Sequence, residues 1–245
     1  MFSSLVIGAT VVPEDLSLPE KTEAPTAEPI TTDEPVASME PVVTEVPAST
    51  TEPTISPESS ATPQPYNPAV DGYPELKADG RSWGLSYRES GLQPWGNETP
   101  KNLAAYNAYY VGDAGENTIY LTFDCGYENG NTDAILKALE NHGVKGTFFV
   151  TGAFLEDHAD LVNRMVAEGH AVANHSYNHP NITTLDEATF REELDSVKRK
   201  FEEVTDGAEF AMYFRPPEGR CYSQTLKWSK DMGYSTILWS LAHVD

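Results

Sequence analysis

Apolar positions in the second half of the chain follow two alternating spacings. Thr118–Asp124, Lys145–Thr151, His170–His175, Ala211–Arg215 and Ser235–Leu241 carry short apolar runs bounded by polar residues or glycine, and they read as buried strands. Between them the spacing lengthens to that of a helix. Thr132–Asn141 places Ile135, Leu136 and Leu139 on one face and stops at His142-Gly143. Asp160–Glu168 is a helix ended by Gly169. Asp186–Val204 is a long amphipathic helix, with Leu185, Phe190, Leu194, Val197 and Phe201 on its inner side. Ser223–Met232 is a further helix. Strands alternating with helices predict an α/β fold built on a parallel sheet or barrel. A complete βα barrel takes about 250 residues. Here the alternation spans residues 118–245 and the chain stops just after an apolar strand. The expectation is therefore a distorted, shortened (β/α) barrel with its C-terminal strands missing; a small open α/β sheet is the alternative.

The rest of the chain has no such period. Residues 73–117 are rich in aromatics (Trp83, Tyr87, Trp95, Tyr106, Tyr109 and Tyr110) and read as loops with one short helix packed on the barrel. Residues 13–72 carry recurrent proline among Thr, Ser, Ala, Val and Glu, with Tyr66 the sole aromatic. Such a segment buries too little apolar surface to offset its ordering entropy, so a disordered, extended linker is expected. Residues 1–12 resemble the apolar end of a signal peptide or membrane anchor, too short to span a bilayer and without a basic start. An acidic spacer behind an apolar start fits an extracytoplasmic protein, secreted or tethered to a membrane through a missing N-terminal segment.

The net charge is −22, of which −10 falls before residue 65 and the remainder after it. With both parts acidic, no basic patch exists to displace counterions, and nucleic acid is excluded as a partner. Two cysteines, Cys125 and Cys221, do not make a disulfide framework. Both follow strands, so a redox bridge between them is the alternative to two free thiols.

The chemistry lies at the strand ends. Asp124 closes the first strand, and His175 and His179 follow the third with four-residue spacing. A carboxylate and a spaced imidazole pair in a βα setting suggest metal-assisted hydrolysis. The competing structural readings are an Asp capping a turn and a His pair that only packs. Pro216-Pro217 rule out helix where they stand and stiffen the rim.

Thr122-Phe123-Asp124-Cys125-Gly126, His175-Ser176-Tyr177-Asn178-His179 and Arg215-Pro216-Pro217-Glu218-Gly219 together resemble the motifs of the polysaccharide deacetylase family, carbohydrate esterase family 4. The resemblance runs from about Trp83 to Asp245. Ser82-Trp83-Gly84 and Gly126-Tyr127-Glu128-Asn129-Gly130 further resemble the branch that acts on N-acetylmuramic acid of peptidoglycan. The resemblance implies a de-N-acetylase of cell-wall glycan on the muramic δ-lactam route of the spore cortex. It implies Asp124 as general base, Arg215 as its orienting partner and Asp245 as the partner of a histidine beyond the chain. His175 and His179 would hold a divalent metal, zinc or alternatively cobalt or manganese. Cys125 stands where the family has a second Asp. It is either a thiolate ligand or a spectator beside a metal with two protein ligands and waters. Tyr127 and Pro216 fall where substrate contacts form. Chitin or xylan are alternative substrates to peptidoglycan, and a non-catalytic wall-glycan-binding or degenerate module is the alternative to an enzyme.

Overall fold

The computed structural model describes residues 73–76, 80–89, 92–115 and 118–242. The expected anchor remnant over 1–12, the linker over 13–72 and Asp245 all lie outside the described residues. A small antiparallel hairpin comes first, β1 (Leu85–Ser86) and β2 (Trp95–Gly96), followed by α1 (Pro100–Ala105) and β3 (Ala108–Tyr109). Then come β4 (Leu121–Cys125), α2 (Thr132–His142), β5 (Gly146–Val150), α3 (Gly152–Asp157), α4 (Ala159–Ala167), β6 (Ala171–Asn174), α5 (Glu187–Val204), β7 (Tyr213–Phe214), α6 (Ser223–Asp231) and β8 (Ser235–Ile237).

Six strands form one sheet in the order β3-β8-β7-β6-β5-β4, and every neighbouring pair is parallel. From β4 to β8 each strand lies beside its predecessor. That is the winding of a βα barrel rather than of a doubly wound sheet, whose order reverses at a switch point. The result is a curled half-barrel with helices packed on it. Among the described residues β3 and β4 are its unpaired edges.

Alternation along the strands separates two apolar layers. Phe123, Cys125, Phe148, Val150, Val172 and Phe214 face outward, in one cluster with Leu136 and Leu139 of α2 and the inner face of α5. Phe149, Ala173, Tyr213 and Ile237 form a separate cluster on the inner surface of the curl. In α5, Phe190, Leu194, Val197 and Phe201 are fully buried, each contributing roughly 1.5–3 kcal/mol. Asp186 caps that helix by accepting from the Thr189 N–H.

Several elements differ from the sequence reading. The first strand begins at Leu121 because pairing starts at Leu121↔Gly146; ahead of it Ile119 has no strand partner and is 72% exposed. The strand expected over 211–215 narrows to Tyr213–Phe214, and that expected over 235–241 stops at Ile237. Helix α3, capped by Thr151 accepting from the Phe154 N–H, follows β5 directly where none was expected. Pro216-Pro217 is non-helical, as expected: it leads into two tight turns, with the Gly219 N–H donating to the Pro216 carbonyl at 2.9 Å, the Arg220 N–H to that of Pro217 at 3.0 Å, and Glu218 at φ 54°, outside the helical region. Finally, the lead-in contributes a strand: β3 joins the sheet beside β8, fixed by Thr236 donating to the Asn107 carbonyl and Leu238 donating to that of Tyr109.

Candidate active site

Thr122 and Asp124 share the inward face of β4, two residues apart as the strand period requires. Arg215, just past the end of β7, meets them both. Its Nη1 donates to Asp124 Oδ1 at 2.7 Å, its Nη2 to Thr122 Oγ1 at 2.9 Å, and its Nε to the Ile237 carbonyl at 3.1 Å. The guanidinium also lies over the Phe149 ring, 4.2 Å from its centroid. Arg215 is wholly buried, and the Asp124 side chain keeps 13% exposure. Burial of this depth requires that the charge be paired and its donors used, and three directed bonds and a carboxylate do so. One oxygen of Asp124 is thereby fixed, and the other faces His175, with Oδ2 3.9 Å from Nε2.

His175 follows the end of β6. Its Nδ1 lies 2.9 Å from the backbone carbonyl of Arg215. A carbonyl only accepts, so Nδ1 carries the proton and the lone pair of the neutral ring sits on Nε2, toward Asp124. Burial pushes the His175 pKa down, and this outweighs the opposing pull of Asp124. The ring is therefore held neutral with an open nitrogen, the state a metal ligand needs. The His179 ring, exposed at the surface, stands 5.0 Å away centroid to centroid.

The loop joining these histidines is held in a narrow conformation. Ser176 and His179 adopt positive φ, 62° and 53°, a region that costs non-glycine residues energy unless their surroundings enforce it. The Ser176 N–H donates to Asn174 Oδ1 at 2.9 Å. Tyr177 accepts from the Gly152 N–H at 3.0 Å, and its ring lies so close to Gly152 that an added Cβ would come within 2.6 Å. Glu193 of α5 accepts from the Asn178 backbone N–H at 2.9 Å and from its side-chain amide at 2.7 Å, one carboxylate oxygen for each. Glu193 escaped the sequence reading because it looks like one more acid on a charged helix. Its place among Phe190, Leu194 and Val197, on the helix's apolar side, is the signal that could have found it.

The structure thus brings together Asp124, Arg215, His175 and His179, and adds Thr122. Cys125 is not among them. It sits on the other face of β4, in the outer apolar cluster with Phe123 and Val150, and burial pushes its thiol strongly upward, away from the thiolate a metal binds. Among the described residues no three His, Cys, Asp or Glu side chains converge as a metal cage. Two imidazoles beside a carboxylate are nonetheless donors of the kind a divalent ion takes. Cys221 is buried in a different cluster from Cys125, with Trp83 and Leu226, and both thiols are free; the redox bridge does not form. Pro216 is buried, its carbonyl accepting from the Gly219 N–H at 2.9 Å, so it shapes the turn beneath the rim. Tyr127 is 44% exposed and borders a cavity of about 360 Å³ between β4 and α2, lined by Asp124 and also by the outward-facing Phe123, Cys125 and Phe148 and by Ile135 of α2. Glu128 fixes this rim. It accepts from the N–H groups of Gly130 and Thr132 at the start of α2; burial raises its pKa, but these bonds prevail and hold it below the usual carboxylate range.

Comparison with known proteins gives a consistent picture. The profile of the polysaccharide deacetylase family matches residues 111–237. The chain is 44% identical to the peptidoglycan-N-acetylmuramic acid deacetylase PdaA of Bacillus subtilis, over 67% of this chain and 62% of that protein. It is 32% identical to a peptidoglycan-N-acetylglucosamine deacetylase of Bacillus cereus, over 61% of this chain and 54% of that protein. The solved structure of Bacillus subtilis PdaA, a family 4 carbohydrate esterase, superposes with a TM-score of 0.63 at 39% identity, covering 68% of this chain and 71% of that one. The chain spans about three-fifths of the length of these curated relatives.

Proposed function

This chain belongs to the polysaccharide deacetylase family, and we propose that it hydrolyses the acetamide groups of cell-wall glycan, with N-acetylmuramic acid of peptidoglycan as the preferred sugar. The observation that carries this reading is the Asp124 carboxylate. One oxygen is tied to buried Arg215, and the other is turned toward an imidazole whose Nε2 lone pair is open. In the reaction, water adds to the acetyl carbonyl carbon as Asp124 takes its proton. As the C–N bond breaks, the proton held by Asp124 passes to the leaving nitrogen, and acetate and the amine depart. A base of this kind contributes about 10²–10⁴ in rate. Arg215 aims Asp124, and Thr122 steadies the guanidinium. His175 and His179 would hold a divalent ion, zinc or alternatively cobalt or manganese. When bound, such an ion supplies polarisation of water and of the acetyl oxygen. Cys125 is a spectator in this scheme, and Tyr127 meets the sugar at the edge of the cavity.

The muramic preference rests on the 44% identity to PdaA, a peptidoglycan-N-acetylmuramic acid deacetylase; a place on the route to the spore cortex and action outside the cytoplasm belong to the same proposal. The test is acetate release by the natural full-length protein from peptide-stripped peptidoglycan, with chitin oligosaccharides and acetylated xylan in parallel, before and after chelation. Release from the muramic residues, lost on chelation and restored by zinc, is the expected result. No release from any of the three glycans with metal supplied would overturn the enzyme. One observation favours a second reading: among the described residues, no three His, Cys, Asp or Glu side chains converge tightly enough to cage a metal. If glycan binds without turnover, the chain is a wall-glycan-binding module.

A further inference from the structure

We propose that the β1–β2 hairpin is a glycan subsite extending the mouth of the active site, with Trp95 as the stacking platform and Arg88 reading carboxylates on the strand. This inference rests on the function proposed above and names how the same site grips a polymer.

The hairpin is fastened to the end of the sheet that carries Asp124 and Arg215. The Trp83 N–H donates to the Gly219 carbonyl at 3.0 Å, in the turn following Arg215, and Trp83 Nε1 donates to the Trp239 carbonyl at 2.9 Å, just past β8. The indole of Trp239 in turn lies 5.9 Å from the Arg215 guanidinium. Gly219, at φ +63°, lets Trp83 and Trp239 close together, since a Cβ there would meet both within about 2.6 Å. Fixed in this way, the hairpin turns one face inward. Gly96 lies against Trp83, with room for no side chain: a Cβ would sit 2.3 Å from the ring. Alternation then turns its neighbour Trp95 outward, opposite Ser86.

Trp95 is 63% exposed, as is nearby Tyr87. An indole left this bare on an anchored strand is a contact surface in waiting, because a packed alternative would bury about 150–250 Å². The Arg88 guanidinium lies 4.8 Å from the Trp95 ring centroid and, among the described residues, makes no ion pair. On a chain of net charge −22, an unpaired cation stacked on an exposed indole is selective. It suits a ligand offering an apolar pyranose face together with a negative group. A glycan whose amino sugars carry carboxylates has both, and a neutral glycan has only the first.

The test measures binding apart from turnover. Asp124→Asn in the full-length protein serves as a non-hydrolysing parent, titrated calorimetrically with soluble peptide-stripped peptidoglycan strands and with neutral chitin oligosaccharides. Trp95→Ala in this background is expected to weaken binding of the strands by about fivefold or more, and Trp95→Phe to retain most of it. Arg88→Gln is expected to erase the preference for the carboxylated strand while leaving the neutral one unchanged. With Asp124 intact, Trp95→Ala raises KM on long strands and leaves kcat unchanged. Strand binding undiminished by Trp95→Ala overturns the subsite, even if the enzyme is active. Trp95-dependent binding without acetate release by the Asp124-intact protein keeps the subsite and removes the enzyme.

Discussion

Strand β6 has a histidine at each end, and the two are put to opposite uses. His175, past its C-terminal end, donates from Nδ1 to the Arg215 carbonyl and leaves Nε2 open toward Asp124. His170, before its N-terminal end, accepts at Nδ1 from the Gly146 N–H at 3.1 Å, so its proton is on Nε2, which faces Glu168 Oε2 at 3.5 Å. Both rings are buried, and in both burial is the largest cause lowering the pKa. The lone pair makes the difference. At the floor of the sheet the backbone has used it, and at the mouth it is free for chemistry. Buried histidine alone therefore says nothing about function; which nitrogen the neighbouring backbone engages decides it.

The strongest attack on this contrast is at the mouth. Asp124→Asn should lower acetate release by about 10²–10⁴ while the protein stays folded; activity within a few-fold of wild type removes the base. Next, Arg215→Ala leaves the Asp124 carboxylate nearly buried and unpaired. It should cost about 3–5 kcal/mol in urea unfolding. A loss below about 1 kcal/mol would mean that the pair does not organise the mouth. Cys125→Ser probes the far side of the same strand: an extra hydroxyl in an apolar layer should cost roughly 1–3 kcal/mol. Zinc affinity should not change, and a tenfold fall in it would restore Cys125 as a ligand.

The smallest effect belongs to the floor. The His170 pKa is lowered in the folded state, so the unfolded chain binds the extra proton more readily. Its stabilising contribution is present above the unfolded value of about 6.5 and is lost as pH falls from there through the lower folded value. Lys145 adds to the lowering, and Glu168 opposes it. His170→Gln keeps an acceptor for Gly146 and does not titrate. Its unfolding free energy should fall less than that of wild type below pH 6.5, and equal slopes would remove His170 as the titrating group.

Much of this mouth was legible in the chain. Asp124, His175 and Arg215 each stand at the end of an apolar run, and parallel strands bring their C-terminal ends to one rim. The side chosen by Cys125 was also legible, since a residue next to an inward Asp on a strand turns outward. Other features lacked a local signal. Strand β3 is two residues long, and its strand character comes from pairing with β8, more than a hundred residues away. Helix α3 is too short to show a period and was marked only by its cap, Thr151. Ile119 and Leu241 belong to apolar runs yet lie exposed, because burial along a strand ends where its partner does. Glu193 shows the reverse: its helix announces a charged surface, and only the loop it grips reveals what it does.

Arg215 joins two parts of the machinery at one codon. Its side chain aims the base, and its backbone carbonyl sets which nitrogen of His175 is open. Errors at this position are therefore not confined to one function, and among the described residues none duplicates either bond. Substitutions that shift the backbone at Arg215 without touching its charge would misplace the imidazole, while those that alter its charge would misplace the carboxylate. Combined variants of Asp124 and His175 should for this reason depart from additivity even though neither side chain holds the other in place. Robustness to mutation is distributed unevenly across this fold, and its narrowest point is a residue that no solvent reaches.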